Sequence, residues 1–514
     1  MVIRESMSDS FSSALVSVLF SRVFVLILGV LFTPAIVRII GPTAYGQYAL
    51  ILSIFSLVNL VLIGGTSDAV RKYISERSDD EWQAAVFKFF LKPVLTIGFF
   101  TGMGFTYLAW SGIAAQVFGE PFTPLFYLLG IYSVTSQLDY HSIRSLMGLE
   151  LESRSEPLKV VKKILFVSIA LLLAAAGYGV EGILAGHIVA SIVAFAAGFV
   201  LVARRLPLRS ARSPPVSLPG REMYTYVGGT ALFFLFLTSL YHVDVVILQR
   251  FTTDETVGYY KGALAIAEFL WLAPMAVQLV LLQRISHLWE RGDLETIERR
   301  AQIVTHYVFL FTLLLALGMF VLAGDFVPLY LGSTFTPSVT PLVLLLPGVV
   351  GFALARPTLA INQGRRSLRP LVLATGGCSL VNLVLNLLLI PPFGMIGAAI
   401  ATSIGYGSLV IFQSTAARAI GYKPLAGVRW WRTGLTVGIT AFSVAPIALL
   451  VHSPLVSLVV IPPLGAAIYA MVAIATGAIT SNEICSVLEG VDVVPNALAR
   501  RLRLVLERIP TVDG

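Results

Sequence analysis

"GEPFTPLFYLL" runs from Gly119 to Leu129, and "GSTFTPSVTPLVLLL" runs from Gly332 to Leu346. Each writes Gly, two unconstrained positions and Phe-Thr-Pro just before a long apolar run, and the two lie about 213 residues apart. If this marks a duplication, other landmarks must recur at nearly the same offset. "AYGQYA" around Gly46 pairs with "VGYYKG" around Gly258, offset about 212. "RSDDE" at Arg77 pairs with "RGDLE" at Arg291, about 214, and "YGVEGILAG" from Tyr178 pairs with "FGMIGAAIA" from Phe393, about 215. Four anchors with one offset make the chain two copies of a six-helix unit plus two extra helices.

Composition identifies the helices as membrane spans. Of the 514 residues, 57% are hydrophobic and only 12% charged, against roughly a quarter charged in a soluble domain. Runs of roughly 20 apolar residues, enough to cross a bilayer, occur about fourteen times. They begin near Phe11, Tyr45, Lys88, Phe122, Lys159, Val180, Met223, Val257, Ala301, Pro337, Leu368, Gly394, Arg432 and Pro454. The expectation is an all-α polytopic membrane protein. It has an N-terminal six-helix bundle over 1–203, a cytoplasmic linker over 204–222 and a second bundle over 223–418. Two further spans fall within 432–477, followed by a tail over 481–514. An even number of crossings per copy makes the repeats parallel, related by an axis along the membrane normal, with a substrate cavity expected among helices one, two, seven and eight.

The formal charge of +8 does not sit on one face as a nucleic-acid site would. The basic residues alternate between connections: Arg71, Lys72, Arg77, Lys88 and Lys92 after helix two, Arg144 to Lys163 after helix four, and Arg204 to Arg221 after helix six. Arg284 to Arg300, Arg365 to Arg369 and Arg418 to Arg432 continue the series. The positive-inside rule then puts both termini in the cytoplasm of a cell-membrane protein. Cys378 and Cys485 are too far apart on this topology to pair, and no cysteine-based metal site or other cofactor is expected. The tail "PNALARRLRLVLERI" sets Leu498, Leu502, Val505, Leu506 and Ile509 on one stripe, a pattern suited to lying on an anionic leaflet.

Two stretches carry a family resemblance. "NLVLNLLLIPPFGMIGAAIATSI", with Asn382, Asn386, Pro391, Gly394, Gly397, Ala401 and Thr402, resembles the last core helices of polysaccharide flippases in the multidrug/oligosaccharidyl-lipid/polysaccharide exporter superfamily. "RIIGPTAYGQYAL", with Arg38, Gly41, Pro42, Tyr45, Gly46 and Tyr48, resembles the same family's entrance to helix two. The first copy has Val167 and Leu171 where the second has the Asn pair, a departure between the halves. The resemblance implies a flippase that moves an isoprenoid-phosphate-linked glycan, on an undecaprenyl or dolichyl carrier, by alternating access. Surface polysaccharide or archaeal S-layer glycoprotein synthesis would consume it, with glycosyltransferases of the pathway as functional partners.

Charged residues inside apolar spans are the sharpest signal of function, since each costs about 2.5 to 3.5 kcal/mol at a helix centre on insertion scales. Arg22, Lys261 and Arg356 are candidate cations for the substrate phosphate, and Tyr241 and Gln278 candidate partners for sugar hydroxyls. Asp244 and Glu268 could take a proton or sodium ion and couple a gradient to the switch; balancing nearby cations is the alternative. Asp68, Arg71 and Arg284 mark a cytoplasmic gate or simply fix topology. His141 and His187 read as packing residues, and Asn382 with Asn386 as an interhelical hydrogen-bond pair. No GxxxxGK[ST] phosphate loop is present. Two rivals remain: a multidrug and toxin extrusion type cation antiporter, and an integral membrane glycan polymerase or glycosyltransferase. The enzyme needs grouped extracytoplasmic carboxylates, and Glu120, Glu181 and Asp325 stand alone.

Overall fold

The structure is a computed structural model that describes the backbone of residues 2–208, 217–365, 369–480 and Glu483. Side chains of 2–20, 22–23 and 60–64, and of 279, 283–284, 286–287 and 290, lie outside the described residues. Arg22, Arg284, Cys485 and the stripe of the 481–514 tail therefore fall outside this description.

Helix follows helix throughout. The first half holds α1 (Val2–Phe55), α2 (Val61–Ser75), α3 (Asp80–Trp110), the short α4 (Ile113–Phe118), α5 (Phe122–Gly148), α6 (Glu152–Leu173) and α7 (Gly179–Arg205). The second holds α8 (Gly220–Phe251), α9 (Asp254–Phe269), α10 (Leu272–Arg291), α11 (Leu294–Leu331), α12 (Val339–Gln363) and α13 (Arg369–Ile420), then α14 (Trp430–Leu450) and α15 (Pro454–Ala475). Among the described residues nine segments are long and apolar enough to cross a membrane, and up to ten if the bent pair α9 and α10 is one span. Three of the nine are double: α1 breaks at Gly41, α6 parts from α7 at Gly177 and Gly179, and α13 breaks at Gly394. The 27-residue α5 is long enough but carries Gln137, Asp139, His141 and Arg144. Divided at these glycines, and with α5 and the bent pair included, the described residues hold about fourteen membrane-length helices, as the sequence predicts.

The duplication is written into the backbone. Gly119 has φ 106°, ψ 158° and Gly332 has φ 108°, ψ 156°. This region is open to glycine alone, which is why both copies of the Phe-Thr-Pro motif begin with it. Gly119 N donates to the Ala115 carbonyl at 2.8 Å and Gly332 N to Pro328 at 2.9 Å. Phe122 and Phe335, the aromatic residues of the two motifs, are both fully buried. The other anchors agree. Asp79 caps α3 through Trp82 N at 3.0 Å and Asp293 caps α11 through Thr296 N at 3.0 Å. Gly179 (φ 49°, ψ −128°) and Gly394 (φ 54°, ψ −131°) break the chain in the same way.

Packing gathers the chain into two compact units, Met1–Gly262 with Thr375–Thr402, and Ala263–Ala374 with Ser403–Gly514. In the first, α5 packs on α3 and α7, α6 on α1 and α7, and α2 on α5 and α8. One end of it is a core of Tyr73, Trp82, Phe87, Phe90 and Leu146, with the Trp82 indole donating to the Tyr73 carbonyl at 2.8 Å. In the second, α12 packs on α10 and α11, and α15 on α11 and α14. Trp271, Phe352 and Tyr406 form its aromatic centre.

Four helix starts precede the sequence reading, among them the first, at Val2 and not near Phe11, and the ninth, at Leu294 and not near Ala301, where Asp293 caps it. The third helix begins at Asp80, not near Lys88, because Asp79 caps it. The fifth begins at Glu152, not near Lys159: its polar first turns are helical because Ser155, Glu156 and Leu158 face the interior, and Glu156 holds Lys159 at 2.7 Å. The correction matters for function, since Lys159, Lys162 and Lys163 then lie two to three turns inside the helix rather than at its start.

Within the first unit, Gly46 and Gly258, each other's counterparts in the repeat, meet face to face. A Cβ on Gly46 would stand 1.8 Å from the Asp254 carbonyl oxygen, and one on Gly258 2.0 Å from that of Pro42. Gln47 Nε2 donates to Asp254 Oδ2 at 2.8 Å beside this contact. Only glycine permits so close an approach of two helix backbones.

Candidate functional site

Among the described residues of the first unit, two buried polar clusters hold residues that the sequence singles out. In the first, Asp244 of α8 is fully buried. Burial of a carboxylate requires donors, and three are supplied. The Tyr260 phenol of α9 and the Thr402 hydroxyl of α13 donate to Oδ2, the latter at 3.0 Å, and the Val245 amide donates to Oδ1 at 2.8 Å. Lys261, one residue beyond Tyr260, acts on the carboxylate electrostatically without touching it. Alongside, Asn386 Nδ2 donates to Asn382 Oδ1 at 3.1 Å, and Asn382 Nδ2 lies 3.5 Å from the carbonyl of Ala401, next to Thr402. Asn386 Oδ1 is buried and accepts no hydrogen bond among the described residues. Three spans thus bring oxygen ligands and one carboxylate to a single interior point.

The second cluster is aromatic and cationic. His187 of α7 bonds the Tyr48 hydroxyl at 2.9 Å, stacks on Phe166 with ring centres 3.9 Å apart, and lies 5.1 Å from the ring of Tyr132. It is a packing residue with one hydrogen bond, and His141 packs on Phe87 at 4.7 Å. Asp139 of α5 and Lys162 of α6 form a buried ion pair. Lys163 rests its ammonium over Phe32 and Phe166, at 5.6 and 5.1 Å from the ring centres.

The other residues singled out in the sequence distribute as follows. Arg356 and Gln278 come together in the second unit, with Arg356 Nη1 donating to Gln278 Oε1 at 2.8 Å; the guanidinium is buried over Phe352 at 4.7 Å and Trp271 at 5.4 Å. Tyr241 is half-buried beside His242, whose Nδ1 is 3.3 Å from the Ser53 hydroxyl. Glu268 is half-buried on α9, in the second unit while Asp244 is in the first. Asp68 pairs with Arg144 at 3.7 Å, linking α2 to α5, and Arg71 is exposed. Sequence reasoning misses Tyr260 and Thr402, which lie 16 and 158 positions from Asp244, and it misses the Asp139–Lys162 pair. Thr402 stands within the quoted glycine-rich motif, but nothing in that motif announces its partner.

A duplicated bundle of membrane helices with buried charges and few extramembrane residues defines a multi-pass membrane transporter fold. The chain belongs to the family described as polysaccharide biosynthesis protein, whose sequence model matches residues 35–340. Among its relatives is the "Probable low-salt glycan biosynthesis flippase Agl15" of Haloferax volcanii, 24% identical over 378 residues, which are 72% of this chain and 75% of that one. Its fold is similar to the lipid II flippase MurJ in an inward closed conformation: TM-score 0.66, 16% identity, 90% of this chain and 97% of that one. It is also similar to an inward-facing multidrug resistance MATE family transporter: TM-score 0.62, 15% identity, 76% of this chain and 94% of the other.

Proposed function

We propose that this protein flips an isoprenoid-phosphate-linked oligosaccharide or sugar across the cytoplasmic membrane for cell-surface polysaccharide or glycoprotein synthesis. The observation that carries the reading is the similarity of a polysaccharide-family chain, over 72% of its length, to a glycan biosynthesis flippase. The chemistry agrees with it. The lipid tail can stay in the bilayer, while the phosphate needs a cation and the sugar needs hydrogen-bonding groups to replace water. Buried Arg356 with Gln278, together with Lys261, supplies groups of both kinds, and cations within the spans favour an anionic substrate over the cationic ones of an antiporter. Transport needs no bond chemistry, so we read the chain as a transporter and not an enzyme.

Two copies moving as parallel bundles, 1–203 and 223–418, would alternate access, with Asp68–Arg144 tying the cytoplasmic ends of α2 and α5. Asp244 with Tyr260 and Thr402 suits a proton or sodium ion exchanged during the cycle: a carboxylate held by neutral donors changes its bonding when its charge is neutralised. Both termini would be cytoplasmic.

The test is a deletion strain carrying wild type or Asp244→Asn at matched expression, with the lipid-linked glycan assayed on each membrane face. The glycan-lipid should be made but remain on the cytoplasmic leaflet in the deletion strain, and Asp244→Asn should restore little of its transfer. If the deletion abolishes glycan-lipid synthesis, or leaves surface display intact, the reading is wrong.

A further inference from the structure

The three lysines of α6 are treated differently by the fold. Lys159 is held by Glu156 at 2.7 Å, and Lys162 by Asp139. Lys163 has no carboxylate partner among the described residues and rests on the rings of Phe32 and Phe166. Lys163 lies eleven residues, roughly 16 Å, into α6, in a segment long and apolar enough to cross a membrane. A charge within a span is unfavourable unless a partner or a cavity meets it, and contact with an aromatic face compensates only part of that cost. The balance is unfavourable, yet the side chain is only half-buried and so can be reached by a ligand.

The rings beneath it are not isolated. Phe32 and Phe166 are 4.9 Å apart, Phe166 stacks on His187, His187 adjoins Tyr132, and Tyr132 stacks on Phe55 at 4.3 Å. Side chains from α1, α5, α6 and α7 thus form a rigid aromatic column with one cation at its end. The four carbocyclic rings are themselves buried, so the column seats the ammonium from beneath and leaves Lys163 as the group that an anion can reach.

We propose that Lys163 is the docking cation for the phosphate of the transported lipid, with the Phe32–Phe166 ring pair as its platform. The inference rests on the flippase reading and deepens it: the missing counter-charge of Lys163 is carried by the substrate. The same ammonium could meet the phosphate of an ordinary anionic phospholipid, and the two sources are separable by experiment.

The full-length protein in neutral detergent is titrated with farnesyl phosphate, farnesol and a short-chain phosphatidylglycerol. The variants are Lys163→Gln, Lys163→Met and Lys163→Arg, each checked for its monodisperse elution. Wild type should bind farnesyl phosphate at least about tenfold more tightly than farnesol or phosphatidylglycerol. Lys163→Gln and Lys163→Met should lose that preference, and Lys163→Arg should keep it within about threefold. Without ligand, Lys163→Met should melt no lower than wild type, since an uncompensated charge has been removed; a structural cation would show the opposite. Unchanged farnesyl phosphate binding in Lys163→Gln overturns the proposal and leaves the flippase reading standing. Equal binding of phosphatidylglycerol overturns it by reducing the site to a lipid contact. No farnesyl phosphate binding by wild type overturns it and counts against the flippase reading as well.

Discussion

Replacing Gly46 by alanine places one methyl group where no space exists. The added carbon would stand 1.8 Å from the Asp254 carbonyl oxygen and 2.9 Å from the Gly258 amide nitrogen, all of it backbone. Side-chain rotation cannot relieve this, so the two helices must part by about 1.2 Å to reach even the 3.0 Å floor of real Cβ contacts. Overpacking of this kind costs about 1 to 3 kcal/mol. If the contact belongs to one state of an alternating cycle, that state loses about 5- to 150-fold in population against the other. Gly258→Ala strikes a different carbonyl, that of Pro42, and should produce the same shift; the two together should be less than additive, since parting the helices once relieves both. Spin labels at the exposed Thr43 and Glu255, in a background without Cys378 and Cys485, report the separation by pulsed electron resonance. A longer distance should replace the short one in both alanine variants, and leucine should complete the change. A short distance that persists in Gly46→Leu at wild-type melting temperature would refute the reasoning.

The Asp139–Lys162 pair yields a second expectation: Asp139→Asn strands a partly exposed ammonium and should cost about 3 kcal/mol, near the low end for broken buried pairs. Asp139→Asn with Lys162→Met should recover most of that in a melting experiment, and equal losses in the single and double variants would rule the pair out as the cause. Glu483 supplies a pH dependence. Burial pushes its pKa up, but two Arg429 bonds at 2.7 and 2.9 Å and the Thr480 amide at 2.9 Å outweigh this and hold it at about 2. A carboxylate depressed from 4.5 contributes stability above that value and loses it as pH falls from 4.5 toward 2. Melting temperatures of wild type and Glu483→Gln should therefore differ at pH 7, draw closer below about pH 4.5 and converge only near pH 2. A gap that stays constant with pH would show that Glu483 acts through shape and not charge.

Much of the fold is legible in the sequence because membrane helices and internal repetition both leave one-dimensional traces. Glycine at positive φ is nearly obligatory, so Gly119 with Gly332 and Gly179 with Gly394 mark matching turns by residue type alone. Capping Asp79 and Asp293 belong to the same class of local signal. The start of the fifth helix is hidden because its first two turns are polar, and Ser155, Glu156 and Leu158 owe their helical turns to tertiary burial. Lys163 consequently reads as a topology charge. Asp244 stands out as an acid within an apolar run, but its donors come from two other helices, and no spacing rule connects residues 244 and 402. Arg356 and Gln278 each attract notice as polar groups in apolar surroundings, yet only packing of α10 on α12 makes them partners.

The meeting of Gly46 with Gly258 carries a consequence for ancestry. A residue that touches its own duplicate lies on the repeat's axis of symmetry, so in a precursor made of two identical chains one gene position would have formed both sides of the contact. Any mutation there would have been felt twice, and glycine is the smallest residue that can face itself. Fusion of the copies freed the two sides to diverge. The neighbouring positions now differ between the copies, with Gln47 facing Asp254, while both sides carry glycine at the contact itself.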